Sequence, residues 1–202
     1  MVEPWFPTPI YFGEVRNESF NAIQTDFQRV FDNLNSANKF SPFPREGCHR
    51  VSDTSFKKNL IAEEKLSLFQ QEVDYHVVQY FLGMGVTLSP SSNYKIMSSW
   101  MTSTEKNQYA VVHGHGGSDI SGVYYFKSTE VDGDLFFENP NRFIKNSLCF
   151  EHIPSRWKTA PKVGKIVLFP SWLEHGTHPN TTDNLRISIS FNITFQRYGD
   201  SE

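Results

Sequence analysis

The sequence predicts a mainly β fold with helices at its N-terminal end. Three observations predict it. From Tyr94 onward, short runs of alternating apolar and polar residues follow one another, separated by turn signals. The 202-residue chain is 15% aromatic with 18 Phe, and so many large rings suit packing between sheets. Before residue 83 two stretches, about 17–35 and 60–82, show helical apolar spacing instead. A helical layer on a β-sandwich accommodates all three, and the length suits one domain over residues 1–202 with a full core. Residues 1–92 supply an arm and the helical layer; residues 93–196 supply the β core.

Taken in order, residues 1–16 are Pro-rich and then apolar at Ile10-Tyr11-Phe12, which reads as an extended arm. Asn17 or Ser19 caps a first helix running to about Asn35, with Phe20, Ile23, Phe27, Val30, Phe31 and Leu34 on one stripe. Residues 36–58 are polar and Pro/Gly-containing and read as loop. A second helix spans about 60–82, with Leu66, Phe69, Val73, Val77 and Phe81 facing inward and Gly83 or Gly85 ending it. His76 on this helix reads as a structural histidine. Strands are expected at 94–101, 108–115, 121–127, 133–137, 147–150, 165–169 and 186–195.

The net charge is −3 and no dense Lys/Arg cluster occurs, which argues against a nucleic-acid surface. No apolar run reaches about 18 residues, so no membrane-spanning helix is expected. The N-terminus lacks a basic region followed by an apolar run. Cys48 and Cys149 read as unpaired buried thiols in a reducing compartment, with a single disulfide as the alternative, so a cytoplasmic protein is expected, in the host cytoplasm if viral.

The chemistry-bearing residues come in three stretches. His113-Gly114-His115 puts two imidazoles at i and i+2, on one face if the stretch is a strand. About sixty residues later, Phe169-Pro170-Ser171-Trp172-Leu173-Glu174-His175 follows a turn and a buried strand. Then the strand 186–195 alternates: Arg186, Ser188, Ser190, Asn192 and Thr194 on one face, Ile187, Ile189, Phe191, Ile193 and Phe195 on the other. Neutral imidazole is a common ligand of first-row metals, and a guanidinium fork with a hydroxyl two residues on suits a carboxylate. This order of parts suits a mononuclear iron centre with an anion-binding arginine beside it. Taken singly, each part also has a plain structural reading: a packing His-x-His pair, or a solvated strand arginine.

Together these stretches resemble the 2-oxoglutarate and Fe(II)-dependent dioxygenases. His113-Gly-His115-Gly-Gly-Ser118-Asp119-Ile-Ser121-Gly122-Val-Tyr124-Tyr125, Phe169 to His175, and Arg186-Ile-Ser188-Ile-Ser190-Phe191-Asn192 are similar to a subfamily of such oxygenases from marine bacteria and phages, over roughly residues 93–196. The resemblance implies a double-stranded β-helix, the cupin-like jelly roll. It implies Fe(II) held by His113 and His175, with 2-oxoglutarate clamped by Arg186 and assisted by Ser188, and O2 as the oxidant. The reaction would convert 2-oxoglutarate to succinate and hydroxylate an unidentified substrate.

Most of that superfamily has Asp or Glu where this chain has His115. Either His115 completes a three-histidine face or Asp119 supplies a carboxylate from beyond the glycine turn. Tyr109, four residues before His113, either hydrogen-bonds the cosubstrate or fills the barrel. Two other functions compete: a three-histidine cupin-type metal dioxygenase without 2-oxoglutarate, and a non-catalytic jelly-roll binding module.

Overall fold

A computed structural model describes residues 7–88, 94–141, 143 and 153–196. The strands are β1 (Tyr11–Glu14), β2 (Ser41–Pro42), β3 (Arg50–Val51), β4 (Tyr94–Thr104), β5 (Ile120–Lys127), β6 (Leu135–Glu138), β7 (Arg156–Thr159), β8 (Lys165–Pro170), β9 (His175–Thr177) and β10 (Arg186–Phe195). Among the described residues they form two antiparallel sheets. The larger has the order β1-β8-β5-β10-β4-β3-β2 and the smaller β7-β6-β9. An antiparallel bridge between His113 and His175 adds the residue-113 segment to the free side of β9. From β4 onward the chain passes repeatedly between the sheets, which is how a jelly roll is wound.

The helices are α1 (Asn17–Ser36), α2 (Leu60–Glu63) and α3 (Ser67–Gly83). They cover the outer face of the larger sheet. Ile23, Phe27 and Val30 of α1 and Phe69, Val73 and Val77 of α3 join Ile187, Ile189, Phe191 and Ile193 of β10 in one buried cluster. Phe27 meets Phe69 edge-on at 4.8 Å, and Phe69 lies 5.0 Å from Tyr124. Gly122 sits opposite Phe191 in the ladder, and a Cβ there would run into the Phe191 ring and Leu168, so only glycine lets the two strands pair around that side chain.

Several expectations need correction. The second helix is two: Asn59 caps α2 through the Ala62 N–H, and Lys65 at φ 54 turns the chain before α3 starts. Within the arm, Tyr11–Glu14 is extended as expected and is also β1, paired with the edge of β8. The stretch 108–115 is not a regular strand; among its residues only His113 makes a bridge. The expected strand at 147–150 lies outside the described residues, as does Cys149; Cys48 is a free, buried thiol. Among the described residues no helix is long and apolar enough to cross a membrane.

The larger sheet therefore has two faces of opposite character. Its outer face is the helix-covered core. Its inner face carries Arg186, Ser188, Ser190 and Asn192, and with the smaller sheet it encloses a cavity of about 640 Å³. Leu135 and Phe137 of β6 pack on Val167 and Phe169 of β8 and close the sandwich beside that cavity.

Candidate metal centre

Three imidazoles converge on the cavity. His113, His115 and His175 each offer one ring nitrogen, and these atoms all lie within 4.8 Å of one another. Local pairing explains the convergence. The backbones of His113 and His175 exchange N–H···O bonds of 2.9 Å in both directions, which sets the two side chains next to each other. The His115 N–H donates to the Ser171 carbonyl at 2.8 Å, tying the first stretch to the residues that lead into His175. The ring centroids of His113 and His175 are 4.4 Å apart.

The other nitrogen of each ring is already engaged. His113 Nδ1 lies 2.8 Å from the Val111 carbonyl, His175 Nδ1 2.8 Å from the Leu173 carbonyl, and His115 Nδ1 2.6 Å from Asn192 Oδ1. An acceptor at Nδ1 requires the proton there and leaves the Nε2 lone pair free on all three rings. Asn192 is itself oriented: Oδ1 also accepts from Ser121 Oγ at 2.8 Å, and Nδ2 donates to Ser98 Oγ at 3.2 Å. Burial pushes the His175 pKa down to about 3 and the His115 pKa down to about 4, and lowers that of His113. The rings are therefore neutral near pH 7, the state that binds metal.

Asp119 is turned to a different task. Its Oδ2 accepts from the Phe195 N–H at 2.7 Å, and its own backbone bonds to Ile193 and Ser171, so it staples the end of β10. It does not belong to the histidine cluster. Tyr109 is absent from the cavity lining, and its side chain interacts with Arg45. The strand parity that would have aimed it with His113 fails because the segment is irregular.

Arg186 and Ser188 do reach the cavity, and both are buried. The Arg186 guanidinium donates from one nitrogen to the backbone carbonyls of Asp132 (2.9 Å) and Gly133, and from the other to Thr104 Oγ1 (3.3 Å) and Thr177 Oγ1 (3.1 Å). These partners are neutral oxygens. Burial lowers the Arg186 pKa from its ordinary value, with Tyr125, Asp132 and Asp134 opposing. Gly133 makes room for it: at φ 101, a Cβ there would lie 2.8 Å from the guanidinium. Thr104 and Thr177 come from different sheets, so the arginine spans the sandwich.

Two further residues line the cavity. His49 is buried, with its pKa lowered to about 4 by burial, and its Nδ1 lies 3.2 Å from the Tyr109 carbonyl. It comes from loop-like sequence beside the two-residue β3. Trp100, on β4, lines the cavity, whereas Trp172 is 60% exposed and does not. His178 lies on Phe136 and near Asp134, outside the cluster; His76 is buried against Tyr11, as a structural histidine should be.

Residues 98–192, which build this site, match the model of a family described as "Putative 2OG-Fe(II) oxygenase". That match covers the stretch carrying the potential metal site at His113, His115 and His175, and makes this part of the chain similar to the 2-oxoglutarate-dependent, non-haem iron oxygenases. No curated protein matches the sequence. Solved structures do match in fold. The carbocyclase SnoK of nogalamycin biosynthesis, described as non-heme and alpha-ketoglutarate dependent, superposes with a TM-score of 0.64 at 10% identity, over 92% of this chain and 79% of that one. HygX from Streptomyces hygroscopicus, solved with nickel and 2-oxoglutarate, gives 0.56 at 14% identity, over 93% and 83%. A prolyl-4-hydroxylase from Pseudomonas putida gives 0.58 at 13%, over 94% of both chains. At such identities the likeness is one of fold, and the fold is the jelly roll, or double-stranded β-helix.

Proposed function

We propose that this protein hydroxylates a primary substrate while converting 2-oxoglutarate to succinate, with Fe(II) held by His113, His115 and His175. The observation that carries the reading is the pairing, in one cavity, of three neutral imidazoles presenting Nε2 and a buried guanidinium whose hydrogen bonds, among the described residues, go to neutral oxygens. The donor set fits iron: nitrogen ligands on one side of a cavity leave room for oxygen-donor ligands on the other. Bound iron supplies the activation of O2 that drives the oxidation.

The protein's own residues do the rest. Backbone carbonyls of Val111 and Leu173 and the Asn192 amide hold the three rings in one tautomer. Arg186, exchanging its longer bonds to Thr104 and Thr177, and Ser188 bind the far carboxylate of 2-oxoglutarate, which sets the oxoacid end toward the histidines. Three neutral imidazoles leave the full dication charge in the site, where a carboxylate ligand would cancel part of it, so a dianionic cosubstrate is favoured. His115 takes the third position in this reading. The engagement of Asp119 with Phe195 supports that choice over a carboxylate ligand. The reading treats residues 1–202 as one domain, supported by the shared core of the helices and the larger sheet.

The three-histidine set also suits an enzyme whose substrate itself chelates iron without 2-oxoglutarate, and Arg186 separates the two readings. Under anaerobic conditions, Fe(II) plus 2-oxoglutarate should give a weak visible charge-transfer band. Arg186→Ala should weaken 2-oxoglutarate binding about ten- to a hundredfold, the loss expected for a hydrogen bond to a charged group. Equal binding by the variant would remove the clamp, and with it 2-oxoglutarate, from the proposal. Succinate release tests turnover.

A further inference from the structure

One wall of the cavity is made of aromatic rings in series. Phe43 meets Phe56 edge-on at 4.7 Å, Phe56 meets Trp100 edge-on at 4.8 Å, and Trp100 stacks near His115 at 5.8 Å. All four residues line the cavity, so the wall is continuous up to one of the three clustered histidines. Met97 and Lys57 line it too. Met97 is the extra residue of a β-bulge, between Ser98 opposite Asn192 and Ile96 opposite Ile193; it is 55% exposed.

The position of Phe56 has a backbone cause. Its φ is 54, a left-handed conformation unfavourable for a bulky residue. The turn that imposes it is stapled by one carboxylate. Asp53 accepts from the Ser55 N–H (3.0 Å), the Ser55 hydroxyl (2.7 Å), the Lys57 N–H (3.1 Å) and the Lys58 N–H (3.1 Å). Four hydrogen bonds thus hold a strained residue whose ring stands in the cavity wall. Strain maintained this way belongs to binding sites more often than to plain surface turns. The next residue, Lys57, is exposed and contributes to the same lining; its side chain makes no ion pair or hydrogen bond among the described residues.

We propose that the Phe43–Phe56–Trp100 wall, with Lys57 at its edge, is the primary-substrate subsite, and that it takes a small molecule with a flat aromatic ring carrying an acidic group. The inference rests on the proposed function for its meaning, because the wall ends beside a candidate iron ligand. Planar rings gain by edge and face contact with such a wall, and the ammonium attracts an acid and repels an amine. Lys57 likewise argues against a cationic substrate, which an all-aromatic wall would otherwise welcome.

The test is a titration with 2-naphthoate, 2-naphthamide and 2-(aminomethyl)naphthalene, followed by saturation-transfer NMR. It is run on the metal-free protein and again with Zn(II) and saturating 2-oxoglutarate. The acid should bind best, the amide more weakly and the amine least. Phe56→Gly should weaken the acid about tenfold, since glycine adopts φ 54 without penalty and removes only the ring. Lys57→Ala should bring the acid down to the affinity of the amide. Binding that ignores Phe56, an amine that binds as well as the acid, or a proline-containing peptide that binds in place of the naphthalenes would each overturn the proposal. The anaerobic Fe(II)–2-oxoglutarate band of the wild type is read separately. A band without naphthoate binding sinks the subsite alone; no band sinks the oxygenase reading, whatever the naphthoate does.

Discussion

The two faces of β10 come from one run of ten residues and obey different physics. Ile187, Ile189, Phe191 and Ile193 are fully buried against the helices, where shape and apolar area decide. Arg186, Ser188, Ser190 and Asn192 line the cavity, where each polar atom must find a partner or await one. A strand that is apolar on one face and polar on the other usually has the polar face in water. Here that face is also enclosed, by the second sheet. The difference teaches that alternation locates the pocket wall only once something covers it, and that stability and chemistry can be perturbed separately along the same strand.

The largest effect is expected at the proposed metal ligands. His175→Ala should abolish the anaerobic charge-transfer band while leaving the far-ultraviolet circular dichroism of the protein unchanged. A variant that still shows the band would break the assignment of the centre. On the opposite face, Phe191→Ala should cost about 3–5 kcal/mol in urea unfolding, because its ring fills the space Gly122 leaves. Its folded fraction should still bind metal. If Phe191→Ala removed binding at full stability, the two faces would not be separable.

Acid should weaken the inner face selectively. His49 and His115 have pKa values near 4 and His175 near 3, all pushed down mainly by burial from about 6.5, and that of His113 is also lowered. The folded state therefore binds these protons later than the unfolded chain does as pH falls. Stability of the metal-free protein is full above about pH 6.5 and declines from there toward pH 4, by roughly 1.4 kcal/mol per pH unit for each fully shifted histidine. Urea midpoints measured from pH 7 to 5 should fall, and His175→Ala should make the slope shallower. A flat profile would mean that the imidazoles are not buried neutral in the metal-free protein.

Much of this was readable from residues, for identifiable reasons. The alternation of 186–195 and the i, i+2 spacing of His113 and His115 are local properties, and they place side chains on faces wherever the backbone is extended. What could not be read was set by pairing between distant segments. The stretch 108–115 carries a strand-like pattern, but its one β-bridge is at His113, so strand parity between Tyr109 and His113 does not operate. The α2–α3 break depends on Lys65 adopting positive φ, which no glycine or proline announces. His49 reaches the cavity because β3 pairs with β4 over just two residues, too short a run to leave a pattern. Whether the Asp119 carboxylate is engaged away from the histidines depends on which acceptor the Phe195 N–H finds, a contact across 76 positions.

The smallest effect is the most discriminating one, because Asn192 lies on the polar face without being a metal donor. Its Oδ1 fixes the His115 ring, and the two serines on either side fix the amide in turn. Asn192→Ala should leave His115 Nδ1–H without its acceptor and let the ring rotate. The expected loss in Fe(II) affinity is about ten- to a hundredfold, as for other residues that orient ligand histidines. Asn192→Asp keeps an acceptor at the same position and should hold the affinity within a few-fold of the wild type. It also places a negative charge behind the imidazole, which raises its basicity and should shift the energy of the charge-transfer band. A purely structural role predicts that both variants lose affinity in proportion to stability. Rescue by Asp, with a displaced band and an unchanged urea midpoint, would instead show that the amide acts through His115.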